Sequence, residues 1–201
     1  RQAPQELTAW RVSRFLDCDE GGTCSVRKFA GATPYALAMA DLTTDFYRQN
    51  EWANLALIEA CRTLTDEQLD ATAVGTFGSI RDTFRHIVGA ESGYAFRLGS
   101  DSIRRLKPDD PWPGFDAIVE MVHATTAAFA AAAHAATDTP IRVGSAEEPY
   151  DVEPAIILVQ AFHHSTEHRS QICTVLTTLG IVAPELSGWD WGLAIGRMQR
   201  V

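Results

Sequence analysis

His164 and His168 stand four residues apart in a stretch whose apolar residues recur at helical spacing. One turn of helix between two imidazoles lets both rings address a single point, where one divalent cation can be chelated from one helix. On a wheel of about 100° per residue, the inward stripe reads Ile157, Ala161, His164, His168, Ile172, Val175 and Leu179. Two polar rings thus replace core side chains, which costs stability unless each ring gains a partner. Backbone carbonyls or buried carboxylates would serve; a metal ion serves both rings at once. His163 falls off the stripe and is a poorer ligand.

Two histidines do not close a site, so a third ligand is expected from a facing helix. His86 is the candidate, in the middle of a helical segment beside the small residues Ala90 and Gly93. It lies at the edge of that segment's apolar stripe, which runs Ile80, Phe84, Ile87, Glu91, Tyr94, Leu98. Glu91 interrupts the centre of the stripe, and an unpaired buried carboxylate is disfavoured. It can orient a ligand histidine, act as a base, ligate directly or pair with an arginine. His123 and His134 fall off the apolar centre of their own helix and read as surface residues.

These side chains need helices to hold them. From Leu42, the positions Phe46, Ala53, Leu57, Ala60 and Leu64 predict a first long helix. Thr65 and Gln68 form a capping-box pattern for a short second piece. Ser79, with Asp82 three residues on, is an N-cap for a helix from Ile80 to about Leu98, stopped at Gly99. Lys107 to Gly114, with three prolines, is a loop, after which Phe115, Ile118, Val119, Val122, Thr126, Phe129 and Ala133 mark a further helix. A turn-rich segment, Thr137 to Asp151, precedes a last long helix from Pro154 to Leu179, closed by Gly180. A short helix follows near Trp191. The fold expected is all-α, a four-helix bundle whose long connections allow non-sequential packing. Residues 1–38 lack a sustained period and read as an N-terminal extension or leader; 39–201 read as the bundle domain.

Composition excludes several function classes. With 201 residues, 46% hydrophobic and 21% charged, the chain can bury a core and is neither disordered nor fibrous. Seventeen basic against twenty-six acidic residues give a formal charge of −9, which repels phosphate backbones and anionic lipid. Neither nucleic acid nor membrane is an expected partner, and a cytoplasmic location is expected. Four cysteines, without a CxxC pair, make no disulfide scaffold; Cys18 and Cys24 are close enough in sequence to bridge, but solvated thiols are the reading expected.

The chain resembles the DinB/YfiT superfamily of metal-binding four-helix bundles over about Met39 to Arg197. The resemblance is carried by Asn50-Glu51-Trp52-Ala53-Asn54, by Gly75 to Asp82 leading into His86-Ile87-Val88-Gly89-Ala90-Glu91, and by His163 to Gln171 with Leu179-Gly180 and Pro184. It implies that His86, His164 and His168 are the three metal ligands. His163, Glu167 and Ser170 depart from the residues usual at their positions, so the site's immediate surroundings differ from the family pattern.

Three imidazoles around one divalent ion leave a coordination position open, as in catalytic sites. Such an ion lowers the pKa of water or of a thiol. Zinc suits the ligands best, while nickel, iron and manganese also accept imidazole. The resemblance implies a metal-dependent enzyme acting on a small-molecule substrate by one of two chemistries. One is transfer of a low-molecular-weight thiol of the mycothiol, bacillithiol or glutathione class, with Arg169 or another cation receiving a carboxylate. The other is hydrolysis, with Glu91 or Glu167 managing a proton. Gln171 would orient a ligand or substrate, and Asn50 and Trp52 would shape the pocket. The competing class is a non-enzymatic module that binds metal or pairs as a homodimer.

Overall fold

In the computed structural model of the protein, the described residues are 16–18, 24–26, 34–135 and 139–199, with side chains from Leu42 onward. The chain divides into two compact units, Arg1–Leu37 and Ala38–Val201. The first contains β1 (Leu16–Cys18) and β2 (Cys24–Val26), an antiparallel pair with Cys18 opposite Cys24. The sequence shows no period there because three-residue strands are too short to display one. Whether Cys18 and Cys24 are free thiols, as expected, or bridged concerns side chains outside the described residues.

Helix α1 is Pro34–Cys61, beginning eight residues before the expected Leu42. Proline at the first turn needs no N–H partner, and Ala36, Ala38 and Ala40 have high helix propensity, but no apolar period announces the helix there. Helix α2 (Asp66–Leu69) carries the expected capping box of Thr65 and Gln68. Helix α3 (Ile80–Arg97) starts where Ser79 Oγ accepts the Asp82 N–H at 3.1 Å. Helix α4 (Phe115–His134) and helix α5 (Pro154–Thr178) lie where the periodicity puts them. Helix α6 (Gly188–Ala194) is the short terminal piece. Among the described residues no helix is long and apolar enough to cross a membrane.

Two expectations are corrected. The turn-rich segment contains an antiparallel pair, β3 (Ile141–Gly144) and β4 (Pro149–Val152). Arg142 opposite Asp151 forms an ion pair across it, and Gly144, at φ +93°, allows the approach of the Glu148 carbonyl. The apolar stripes also end sooner than their period implies. Phe46 is 47% and Leu179 37% exposed, each near one end of the bundle.

The core has two apolar clusters with a polar layer between them. Leu57, Phe84, Ile87, Ile118, Val122, Ile172 and Leu176 belong to the larger cluster, and Tyr47, Ala95, Phe129, Leu158 and Ala161 to the smaller. Each long helix passes from one cluster to the other, which fixes its direction. α1 and α5 run from the smaller to the larger, α3 and α4 from the larger to the smaller. The bundle is therefore up-down-down-up, and the long 98–114 connection returns the chain so that α4 runs parallel to α3.

Candidate metal centre

His86 from α3 and His164 and His168 from α5 meet, each offering one ring nitrogen within 4.8 Å of the others. Ring centroids lie 4.8 Å apart for His86 and His164, 4.6 Å for His86 and His168, and 4.4 Å for His164 and His168. His164 Nε2 is 3.0 Å from His86 Nε2. Two nitrogens bound to one zinc-sized ion at about 2.0–2.1 Å stand about 3.0 Å apart at a right angle and about 3.4 Å at the tetrahedral angle. The observed spacing fits a shared cation. His164 Nδ1 is buried without a hydrogen-bond partner among the described residues, so the protein alone leaves this ring unsatisfied.

His86 and His164 are tuned to be neutral. Burial, then the neighbouring His168 and His86, push the pKa of His164 down to about 4. Burial and His168 lower that of His86. Neutral imidazoles present lone pairs, the form a metal requires.

Gln171 orients His168. Its Oε1 accepts the His168 Nδ1–H at 2.8 Å and the Phe77 N–H at 3.1 Å. Holding the proton on Nδ1 leaves His168 Nε2 as the lone-pair nitrogen. The same amide oxygen ties down Phe77, whose ring stacks on His86 with centroids 4.0 Å and planes 17° apart, and meets His168 edge-on at 5.3 Å. Phe77 was not singled out as a site residue in the sequence. The available signal was an aromatic residue between Gly75 and Gly78, just before the N-cap of the helix that carries His86.

The other candidates lie elsewhere. Glu91 is 1% exposed and sits in the polar layer. Its Oε1 accepts from Ser165 Oγ at 2.6 Å, Asn50 Nδ2 at 2.9 Å and Asn54 Nδ2 at 3.2 Å, and its Oε2 faces Thr125 Oγ1 at 3.0 Å. Arg169, 3% exposed, donates to Asn54 Oδ1 at 2.8 Å, Asn50 Oδ1 at 2.5 Å and Thr166 Oγ1 at 2.9 Å. The two asparagine amides thus lie between carboxylate and guanidinium, each giving its N–H to one and its carbonyl to the other. Burial lowers the pKa of Arg169 to about 10, against the opposing pull of Glu91. Glu91 as a proton-managing base and Arg169 as a carboxylate receptor are therefore corrected: both are committed to this layer by hydrogen bonds. Asn50 belongs to it too and does not shape a pocket at the histidines.

Glu167 is exposed on α5, as is His163. Trp52 is half-buried beside a separate cavity lined by Arg48, His123 and Trp191. His123 is exposed and pairs with Glu51 at 2.7 Å, and His134 is exposed with Thr44 Oγ1 at 3.3 Å. Among the described residues, no carboxylate or thiolate joins the three-histidine group.

The chain is similar to a DinB-like protein from Bacillus cereus ATCC 10987, whose crystal structure matches at 19% identity and a TM-score of 0.49. That match covers 70% of this chain and 94% of the other. No curated relative matches the sequence. The DinB family model matches residues 39–191, spanning α3, α5 and all three histidines, and the chain belongs to the DinB family.

Proposed function

We propose that the protein is a metal-dependent enzyme that uses His86, His164 and His168 to hold one divalent cation and transfers a low-molecular-weight thiol to an electrophile. The observation that carries this reading is the convergence of three imidazoles without a carboxylate among them. A bound cation with an open position would supply Lewis acidity, lowering the pKa of a thiol or of water. Hydrolysis of an ester or amide benefits from a general base beside the reacting water, and Glu91 is sequestered in the polar layer. A thiol needs less help, because its own pKa lies close to neutrality. The residue set therefore favours thiol transfer over hydrolysis.

In this reading Gln171 fixes the His168 tautomer, Phe77 excludes water from one side of the cluster, and Tyr94, with its ring 6.0 Å from His164, borders the opening. Mycothiol, bacillithiol and glutathione are the thiol classes to test, and a reducing cytoplasm is the compartment that suits them. Zinc fits the nitrogen ligands, with nickel, iron and manganese as the alternatives to assay.

Purified protein should carry about one divalent ion per chain by elemental analysis, and His164→Ala with His168→Ala should abolish it. The metal-loaded protein should then turn over a thiol with an electrophilic acceptor. Turnover confined to an ester and amide panel would replace thiol transfer with hydrolysis. Bound metal without turnover in either panel would reduce the protein to a metal-binding module.

A further inference from the structure

A cavity of about 540 Å³ opens from His86 along the outer face of α3, walled on its far side by the segment 105–108. The segment runs antiparallel to α3. Arg85 donates to the Pro108 carbonyl, and the Leu106 carbonyl would lie 3.0 Å from a Cβ at Gly89. The absent side chain at Gly89 is what lets this wall stand so close. At about 100° and 1.5 Å per residue, His86, Gly93 and Arg97 share one line on the helix, with Arg97 about 16 Å from His86.

The walls carry Arg85, Arg97, Arg105 and Lys107 against the single carboxylate of Asp82. Asp82 is already engaged, with Ser79 Oγ at 2.8 Å and Arg85 Nη1 at 3.4 Å. Arg97 is tied only to the Gly93 carbonyl at 3.2 Å, and Arg105 lies over the Phe96 ring at 4.8 Å. Among the described residues, Arg97, Arg105 and the Lys107 ammonium make no ion pair. The chain has a formal charge of −9, yet these three cations stand around one cavity without a carboxylate partner among the described residues, a local positive field against the overall charge.

We propose that this groove is the specificity site of the histidine centre and takes an elongated substrate with an anionic group, carboxylate or phosphate. The anion would rest between Arg97 and Arg105, with the reacting end at His86. This rests on reading the histidine cluster as the reaction centre. Guanidinium forks match both anions bidentately, and Lys107, at the level of Arg85 to Gly89, adds positive potential along the path. The Arg97 guanidinium lies back over Gly93, its Nη1 3.4 Å from where a Cβ would stand, which turns its charge from the far end of the groove toward His86.

The test titrates zinc-loaded protein with glutarate, inorganic phosphate and the uncharged glutaramide at low ionic strength, by calorimetry or ligand-observed NMR. Glutarate or phosphate should bind and glutaramide should not; whichever anion binds more tightly identifies the substrate's group. Arg97→Gln with Arg105→Gln should weaken anion binding at least tenfold, while Arg142→Gln, in the exposed β3–β4 pair, should leave it unchanged. If the double variant does not fold, Lys107→Gln should weaken binding severalfold. Equal anion affinity in the groove variants and wild type overturns the proposal. Metal analysis of the same samples separates the two readings. Anion binding through Arg97 and Arg105 in protein without metal keeps the anion site and retires the reaction centre. Bound metal with unchanged anion affinity in the variants does the reverse.

Discussion

Gln171→Leu removes one oxygen and strands two donors. Gln171 Oε1 accepts the His168 Nδ1–H at 2.8 Å and the Phe77 N–H at 3.1 Å, and leucine accepts neither. His168 is 8% exposed, so its Nδ1–H has poor access to water, and a buried donor left unpaired costs about 1–3 kcal/mol. The ring escapes that cost by moving its proton to Nε2 or by rotating, and either response withdraws the nitrogen that faces the other two histidines. Loss of a hydrogen bond to a ligand histidine typically lowers metal affinity 10- to 100-fold, the same range when converted at about 1.4 kcal/mol per decade. Competition against a chromophoric chelator should therefore show Gln171→Leu binding zinc 10- to 100-fold more weakly than wild type. Gln171→Glu, which keeps an acceptor oxygen, should stay within a few-fold of wild type or bind more tightly. Amide exchange at Phe77 should accelerate in the leucine variant alone, because the same oxygen anchors that loop. Wild-type zinc affinity in Gln171→Leu, with the fold intact by circular dichroism, would refute the assignment of His168 Nε2 as a ligand held by Gln171.

Three further outcomes follow from the same contacts. Glu91→Leu leaves Arg169 as a buried cation without its counter-charge and should cost about 3–5 kcal/mol in urea unfolding, with Glu91→Gln losing less. Metal-free protein should lose stability as pH falls. The pKa of His164 lies near 4 in the folded chain and near 6.5 unfolded, so stability is whole above pH 6.5 and declines from there toward pH 4. The full shift corresponds to about 3 kcal/mol and is discounted to about 2 kcal/mol for a partly exposed ring; thermal melts of His164→Asn should show a flatter pH profile. Gly89→Ala places a methyl 3.0 Å from the Leu106 carbonyl and should lower the melting temperature, for a cost of about 1–3 kcal/mol, while displacing the groove wall.

The helices and the paired histidines of α5 were legible because both are one-dimensional signals. Period and caps mark a helix within one stretch of chain, and an i, i+4 pair lies on one face whatever that face meets. His86 was less legible: its own helix put it at the edge of the apolar stripe, and the matching family pattern, not the wheel, supplied its role. The polar layer was hidden for a related reason. Nothing within a single helix shows what Asn50, Asn54, Thr125, Ser165 and Arg169 face, and only the packing of four helices shows that they point at Glu91 and at one another. Four-residue strands in an exposed hairpin leave no such trace, because neither face is buried enough to enforce alternation.

The polar layer explains how a site split between α3 and α5 is held without a ligand. On α5, His164 and His168 are each followed directly by a member of the layer, Ser165 and Arg169. Adjacent helical residues diverge by about 100°, so one face of α5 addresses the histidine cluster while the next addresses Glu91. α3 does the same with His86 and Glu91. A slip of α5 by one residue would carry Ser165 and Arg169 away from Glu91, leaving a carboxylate and a guanidinium unpaired in the core, a penalty of several kcal/mol. Apolar clusters above and below tolerate such slips more readily, because hydrophobic contact is not directional. All four long helices contribute to the layer: Asn50 and Asn54 from α1, Glu91 from α3, Thr125 from α4, Ser165 and Arg169 from α5. It therefore sets rotation and register at the level where the three rings must meet. A variant that replaces Asn54, Glu91 and Arg169 together with leucine or methionine separates this role from stability. Such apolar replacements of a buried ionic group often keep or raise stability. If the layer sets register, the replaced protein should bind zinc more weakly even where its melting temperature is unchanged. Wild-type zinc affinity in that variant would assign the positioning of the rings to the apolar clusters instead.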